Sequence, residues 1–432
     1  MSFEMTTLGE YIKVQGGYAY KSKDFIEFSK NKVLKIKNVR FGTVDYAEPA
    51  YVSDEIAAST KNWKVKEGDV LISMTGSGPN APQSLVGRVA RVWKNEPDAW
   101  INQRVGRVCL LDENSVHLDF IFYWLSLPQS QDYLVSNSSG SANQANISGK
   151  IIESLPCPKV DYQTSKQIAD LARNFDEKVI LNSQTNQTLE QMAQAIFKSW
   201  FVDFDPVKAK MNGDQPDGMD ADTASLFPEK LVESELGLIP EGWGASSMGE
   251  HFNITMGQSP KGETYNEEGE GIAFFQGRRD FGFRYPDVRV FTTDPKRYAK
   301  AGDTLISVRA PVGDKNMAAI DCCIGRGVAA IKHKSESRSF TYAFVSHIEK
   351  KLGDSGSSGT VFSSINQNEL KKVAFVAPPQ ALIDAFHKLV DPIDQKVEVL
   401  SAEIKSLSSL RDTLLPKLLS GEIELVKIGE GD

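Results

Sequence analysis

GDVLIS, Gly68 to Ser73, returns as GDTLIS, Gly302 to Ser307, and this recurrence decides how the chain is built. Working outward, LGEY at Leu8 to Tyr11 comes back as MGEH at Met248 to His251. SSG at Ser138 to Gly140 returns at Ser357 to Gly359, and DEKV at Asp176 to Val179 returns as DQKV at Asp394 to Val397. The offset contracts from 240 through 234 and 219 to 218, then holds. Self-similarity on this scale marks a repeated unit. The contraction places insertions in the front of each unit and a fixed length at its rear, as variable loops ahead of a rigid helix require.

Each front part reads as strands and loops. VLKIKNV, Val33 to Val39, alternates so that Leu34 and Ile36 face one way and Lys35 and Lys37 the other, which predicts a strand with a charged face. GDVLIS and GDTLIS predict short buried strands after a Gly-Asp turn. They lead into MTGSGPN from Met74 and VRAPVGD from Val308, whose Gly and Pro predict surface loops.

Each rear part reads as a long helix. Ile168, Phe175, Leu189 and Ile196 share a seven-residue frame, joined by Leu171 and Met192, and the same frame puts Asn182 on the seam. Phe386, Ile393, Leu400, Leu407 and Leu414 repeat the step, joined by Leu389 and Leu410. Two such seams in one chain predict a packed pair with coiled-coil geometry, in which a buried Asn182 fixes register. The alternative is that each seam packs on its own front part. Asp391 followed by Pro392 fits an N-cap with a first-turn proline, so the second helix either restarts there or kinks.

The length of 432 residues suits two to four domains. No apolar run approaches the roughly 20 residues that cross a bilayer, and MSFEMTTLGEY lacks a basic-then-apolar leader pattern, so a cytoplasmic location is expected. Cys109, Cys157, Cys322 and Cys323 show no CxxC spacing, and neither disulfides nor zinc is indicated.

The net charge of -8 argues against a polyanionic partner until its distribution is read. Asp203 to Glu241 alone carries -7, while Lys13 to Arg40 carries +6 and Arg278 to Arg309 carries +4. Two basic patches flanking an acidic segment are compatible with nucleic acid. A solvated lysine-rich face would look the same.

Enzymatic machinery is missing from the sequence. There is no FxGxG-like methyl-donor loop, no Asn-Pro-Pro-aromatic pocket and no GxxxxGK[ST] phosphate loop. Pro286, Asp287, Asp294 and Lys296 resemble a PD...DxK nuclease metal site, but with short spacing, and a turn accounts for them as well. Asp203 and Asp205 in WFVDFDP form a DxD pair whose place before Pro206 favours helix termination.

FKSWFVDFDPVKAK, Phe197 to Lys210, and FPEKLVESELGLIPEGW, Phe227 to Trp243, resemble the central region of type I restriction-modification specificity (S) subunits. LLPKLLSGEI, Leu414 to Ile423, resembles their distal region. The resemblance implies an α+β chain with two tandem mixed α/β target recognition domains, each followed by a long helix, the helices pairing as an antiparallel coiled-coil spacer. The implied divisions are recognition domain 1 over 1–160, the central helix over 161–204 and an acidic connector over 205–242. Recognition domain 2 follows over 243–378, the distal helix over 379–421 and a tail over 422–432. It implies a non-catalytic subunit that reads a bipartite site on double-stranded DNA. Two modification (methyltransferase) subunits and restriction (endonuclease/translocase) subunits are the implied partners, with no membrane. No cofactor is expected on this chain; S-adenosylmethionine, ATP and Mg belong to those partners. A self-contained nuclease and a structural coiled-coil adaptor are the competing readings.

Base reading in the major groove uses Arg or Lys for guanine and Asn or Gln for adenine, with hydroxyls on phosphates. The loop residues that fit in the first domain are Thr75, Ser77, Asn80, Gln83, Arg88, Gln103, Arg104, Asn143 and Gln144. Those in the second are Gln258, Lys261, Gln276, Arg278, Arg279, Arg284, Arg309, Arg326 and Thr360. Lys21, Lys23, Lys35, Lys37 and Arg40 are expected on phosphate.

Overall fold

The computed structural model describes residues 3–78, 85–141, 144–354 and 364–425. Asn80, Gln83, Asn143 and Thr360 fall outside these residues. The chain divides into two units, one of residues up to 180 together with those from 405 onward, the other of residues 181–404. Each long helix therefore contributes to both.

In the first unit a four-stranded antiparallel sheet runs in the order Ile12–Gly16, Val105–Leu110, Val70–Ser73, Val89–Arg91. The second unit repeats it as Phe252–Met256, Val328–His333, Thr304–Ser307, Lys315–Met317. A second sheet accompanies each, of four strands in the first unit and five in the second. It contains a parallel pair, Asn31–Leu34 with Ala99–Ile101 in the first and Ile272–Phe275 with Cys322–Ile324 in the second. The recurrent GDVLIS and GDTLIS strands are central and wholly buried, entered through Gly68 and Gly302 in the left-handed region. The opening strand of each repeat pairs with the last strand before the long helix, Met5–Thr7 with Pro156–Pro158 and Gly244–Ser247 with Ala374–Ala377.

The long helices run Tyr162–Phe201 and Gln380–Ser420. Ile168, Ala169 and Ala172 share a core with Leu415, Leu418 and Leu419 and with the domain helix Leu118–Ser126. In the second unit Asn182 donates to Glu403 at 3.0 Å, Asn186 to Ser401 at 3.2 Å, and the Phe197 and Phe386 rings lie 5.8 Å apart. Rising numbers meet falling ones, so this pairing is antiparallel. The front domains also pack on the helices, so the two arrangements treated above as alternatives coexist.

The buried stripe is rotated from the apolar frame read in the sequence. Ile168, Asn182, Phe386 and Leu400 are buried; Leu171, Phe175, Leu189, Ile196, Ile393, Leu407 and Leu414 are only partly so. Met192, Leu389 and Leu410 are exposed by 49%, 43% and 46% and leave the seam. Their places go to small and polar residues, among them Ser165, Ala172, Asp176, Asn186, Ala193 and Asp394. Burial is tolerated because each charge is partnered: Asp176 accepts from the Tyr123 hydroxyl at 2.7 Å and from Arg411, and Asp394 accepts from Arg284. These aspartates are the repeat-equivalent first residues of DEKV and DQKV.

Three further expectations change. The strand from Asn31 stops at Leu34 and a 3-10 turn covers Ile36–Asn38, so the alternation assigned to Val33 to Val39 fails and Val33 and Leu34 are both buried. The second helix continues through Pro392 rather than restarting. At the end of the first helix Lys198 binds Asp203, Phe204 takes a left-handed φ of 57°, and Asp205 opens a short helix to Met211, which makes the DxD pair a helix terminus.

Glu96 adds a pH-dependent term. Burial pushes its carboxyl up to about 7, against hydrogen bonds from the Tyr46 hydroxyl and the Trp93 amide, both 3.0 Å. A carboxyl raised in the folded state contributes stability that is present below its unfolded value, near 4.5, and lost as pH rises through about 7. Glu96→Gln keeps the acceptor and removes the ionisation. It is expected to stabilise the chain at pH 8 by on the order of 1–2 kcal/mol and to change little at about pH 4, below the unfolded value. Thermal unfolding at the two pH values checks this.

Candidate functional site

The expected polar loops meet on one backbone skeleton that occurs twice. In the first unit Gly17 N donates to Val105 O (2.9 Å), Tyr18 N to Ile101 O (3.0 Å) and Met74 N to Arg104 O (2.9 Å). Asn102 N donates to Leu34 O (3.0 Å), Val105 N to Asn102 O (2.8 Å) and Ile147 N to Met74 O (3.0 Å). In the second, Gly257 N donates to Val328 O (2.9 Å), Gln258 N to Ile324 O (3.0 Å) and Val308 N to Gly327 O (3.0 Å). Gly325 N donates to Phe275 O (2.8 Å), Val328 N to Gly325 O (2.9 Å) and Ile365 N to Val308 O (2.9 Å). The six bonds correspond one to one.

Close backbone approach fixes the glycines. A Cβ at Gly17 would lie 2.2 Å from Asn102 O, and one at Gly257 would lie 2.1 Å from Gly325 O. Only glycine lets the two segments meet.

What differs between the copies is the side chains that the skeleton carries. Tyr18 corresponds to Gln258, Lys35 to Gln276, Thr75 to Arg309 and Gln103 to Arg326. The last pair occupies tight turns: Gln103 and Arg104 are exposed between Ile101 and Val105, and Arg326 is exposed between Ile324 and Val328. Arg309 and Arg326 line a shared concavity with Met256 and Asn366, and Ser259 Oγ accepts from the Arg326 amide at 3.2 Å. A constant frame that displays changing polar residues is suited to reading a ligand whose pattern of donors and acceptors varies.

The remaining candidates surround this edge unevenly. Lys21 and Lys23 flank Ser22 in the exposed turn after Tyr20. Lys35 is held with its ammonium 4.2 Å from the Phe25 ring centroid. Lys37 is paired with Glu48 at 3.0 Å and Arg40 with Asp45 at 3.1 Å, which reduces the free charge of the first basic patch. Ser77 bridges to Leu85 and Gln144 is exposed in the hairpin that reaches Gly76 and Thr75. Arg278 and Arg279 follow Gln276 in an exposed turn, with Arg278 2.9 Å from Asp314; Lys261 is exposed, 3.8 Å from Glu263.

Three candidates are corrected. Arg284 is buried, pairs with Glu190 and Asp394 of the long helices, and lies 3.6 Å from the Tyr342 ring centroid, so it supports the fold. Arg88 is buried and donates to Ile36 O at 2.8 Å. Thr75 is buried, with its hydroxyl donating to Asn146 Oδ1 at 2.9 Å, and so braces the loop. Tyr18, 37% exposed, is not among the residues expected from the sequence, although the offset of 240 aligns it with Gln258 and the skeleton displays it at the same place. In the PD...DxK pattern Lys296 is neutralised by its own Asp294 at 2.7 Å. Among the described residues no group of three or more His, Cys, Asp or Glu is placed to hold a metal ion.

Residues 2–191 match the family model "Type I restriction modification DNA specificity domain". A Methanocaldococcus jannaschii protein assigned as the MjaX type I restriction enzyme specificity subunit is 27% identical, over 98% of this chain and 94% of the relative. The type I restriction enzyme HindI specificity subunit of Haemophilus influenzae is 29% identical, over 83% and 87%. The crystal structure of the type I restriction-modification system S subunit from M. genitalium aligns with a TM-score of 0.60 at 17% identity, over 97% of this chain and 96% of that one. The last likeness concerns the fold.

Proposed function

The chain belongs to the type I restriction-modification specificity subunits, and from that premise we propose that its two front domains each read one half of a bipartite DNA target through the twice-built polar edge. Subunits of this family recognise DNA sequence within a larger complex and are not themselves catalysts. The observation that carries the reading is the six-bond skeleton, identical in both units while its displayed side chains differ. Equal frames with unequal readers suit a two-part site whose halves have unrelated sequences.

In this reading Lys21, Lys23 and Lys35 position phosphate, while Gln103 and Arg104 in one domain and Gln258, Gln276, Arg309 and Arg326 in the other face base edges. The paired long helices, 40 and 41 residues long, set the unspecified gap. Two modification subunits that bind S-adenosylmethionine, and restriction subunits that use ATP and Mg, supply the chemistry. Among the described residues no helix is long and apolar enough to cross a membrane.

Mapping methylated adenines in DNA from cells that carry this chain with its modification subunit tests the reading. One motif in two specified parts, separated by a gap of fixed length, is expected. A single uninterrupted motif would refute it.

A further inference from the structure

Each front domain is tied to its own long helix by an ion pair, and the two ties have opposite polarity. In the first unit Asp119, in the first turn of the domain helix Leu118–Ser126, accepts from Arg173 of the long helix at 2.9 Å. In the second, Arg338 begins the corresponding domain helix, Arg338–Asp354, and donates to Asp391 of the long helix at 2.8 Å. Arg173 and Asp391 are strictly equivalent, each three residues before the aspartate of DEKV or DQKV. The same long-helix position therefore carries a cation in one copy and an anion in the other, and the domain facing it carries the complement.

Helix chemistry alone does not account for this. An aspartate in the first turn of a helix suits the positive end of the macrodipole, but an arginine there opposes it. What holds Arg338 is the long helix, through Asp391 and, at 3.2 Å, Glu398. Burial by itself would raise the Asp391 carboxyl, yet hydrogen bonds from Arg338 and Gln395 keep it below the ordinary range. Asp119 is nearly inaccessible, with 4% of its side chain exposed, and has Arg91 at 2.7 Å on its other oxygen. Both ties lie where solvent screens charge weakly.

We infer that these exchanged ion pairs form a docking code, which lets each front domain seat on the segment around Arg173 or Asp391 of the long helix that follows it and rejects the equivalent segment of the other helix, in the same chain or in a second copy. The repeats share sheet order and the six-bond skeleton, so shape alone separates them poorly. Cross-docking would set Asp119 against Asp391 and Glu398, and Arg338 against Arg173. Rejecting a near-identical surface by opposing like charges is an established route to specificity.

A charge-reversal cycle on the purified chain reads the code without reference to DNA. Arg338→Asp and Asp391→Arg are each expected to lower the unfolding temperature by about 5–10 °C. The double variant, which reproduces the polarity of the first unit, regains more than half of that loss, the remainder reflecting Glu398 beside the new aspartate. A double variant no more stable than the sum of its parts overturns the inference. A graft extends the test by placing residues 243–378 ahead of the first long helix in place of 3–160, where Arg338 meets Arg173. The graft carrying Arg338→Asp should give more soluble protein and unfold at a higher temperature than the unmodified graft. Equal behaviour of two folded grafts also overturns it, and if neither folds the reversal cycle decides.

Discussion

Replacing Arg284 with methionine lowers the unfolding temperature of the second unit by about 10 °C. The guanidinium is buried with two carboxylates, Glu190 from the first long helix and Asp394 from the second, and stacks on Tyr342. Methionine fills much of the volume but leaves both carboxylates without a counter-charge, and breaking a buried pair from one side costs about 3–5 kcal/mol. Lysine would not rescue it, because a single ammonium cannot reproduce the fork that reaches both acids. Adding Glu190→Gln and Asp394→Asn to Arg284→Met should recover a substantial part, since the charges then leave together. Thermal or urea unfolding of the purified chain measures all four proteins. An Arg284→Met protein as stable as the parent would show that the triad does not hold this domain on its helices.

Loss of function without loss of fold is expected from the opposite kind of arginine. Arg309 and Arg326 are exposed on the second polar edge, and the double substitution Arg309→Ala with Arg326→Ala should leave the unfolding temperature within about a degree of the parent. Each good bidentate contact to a base is worth about 1–3 kcal/mol of discrimination. Losing two should reduce methylation of the proper target by the assembled enzyme about 100-fold or more, with preference relaxed in one half of the motif only. Methylation assays on targets altered in either half report this. Full activity with unchanged preference would remove these residues from the reading edge.

These arginines show where sequence reasoning stops. Arg284 and Arg309 both stand in polar, glycine-containing stretches of the same basic patch, and nothing local separates them. The carboxylates that bury Arg284 lie 94 and 110 residues away along the chain. Arg88 was lost to the same cause, with its acceptor at Ile36.

The sequence by itself determined the two-copy plan, the central buried strands after their Gly-Asp turns and the two long helices. Each is written in local periodicity or in repetition, which need no knowledge of distant partners. Only the tertiary structure decided which helix faces meet. A buried stripe containing Ser165, Asp176, Asn186 and Asp394 looks exposed until Tyr123, Arg411, Ser401 and Arg284 arrive to satisfy it. Tertiary contacts likewise set the common frame of the polar edges, because a hydrogen bond from Gly17 to Val105, or from Gly257 to Val328, joins segments through backbone atoms that every residue shares. Side-chain identity reports such contacts only where it must yield to them, as at those two glycines.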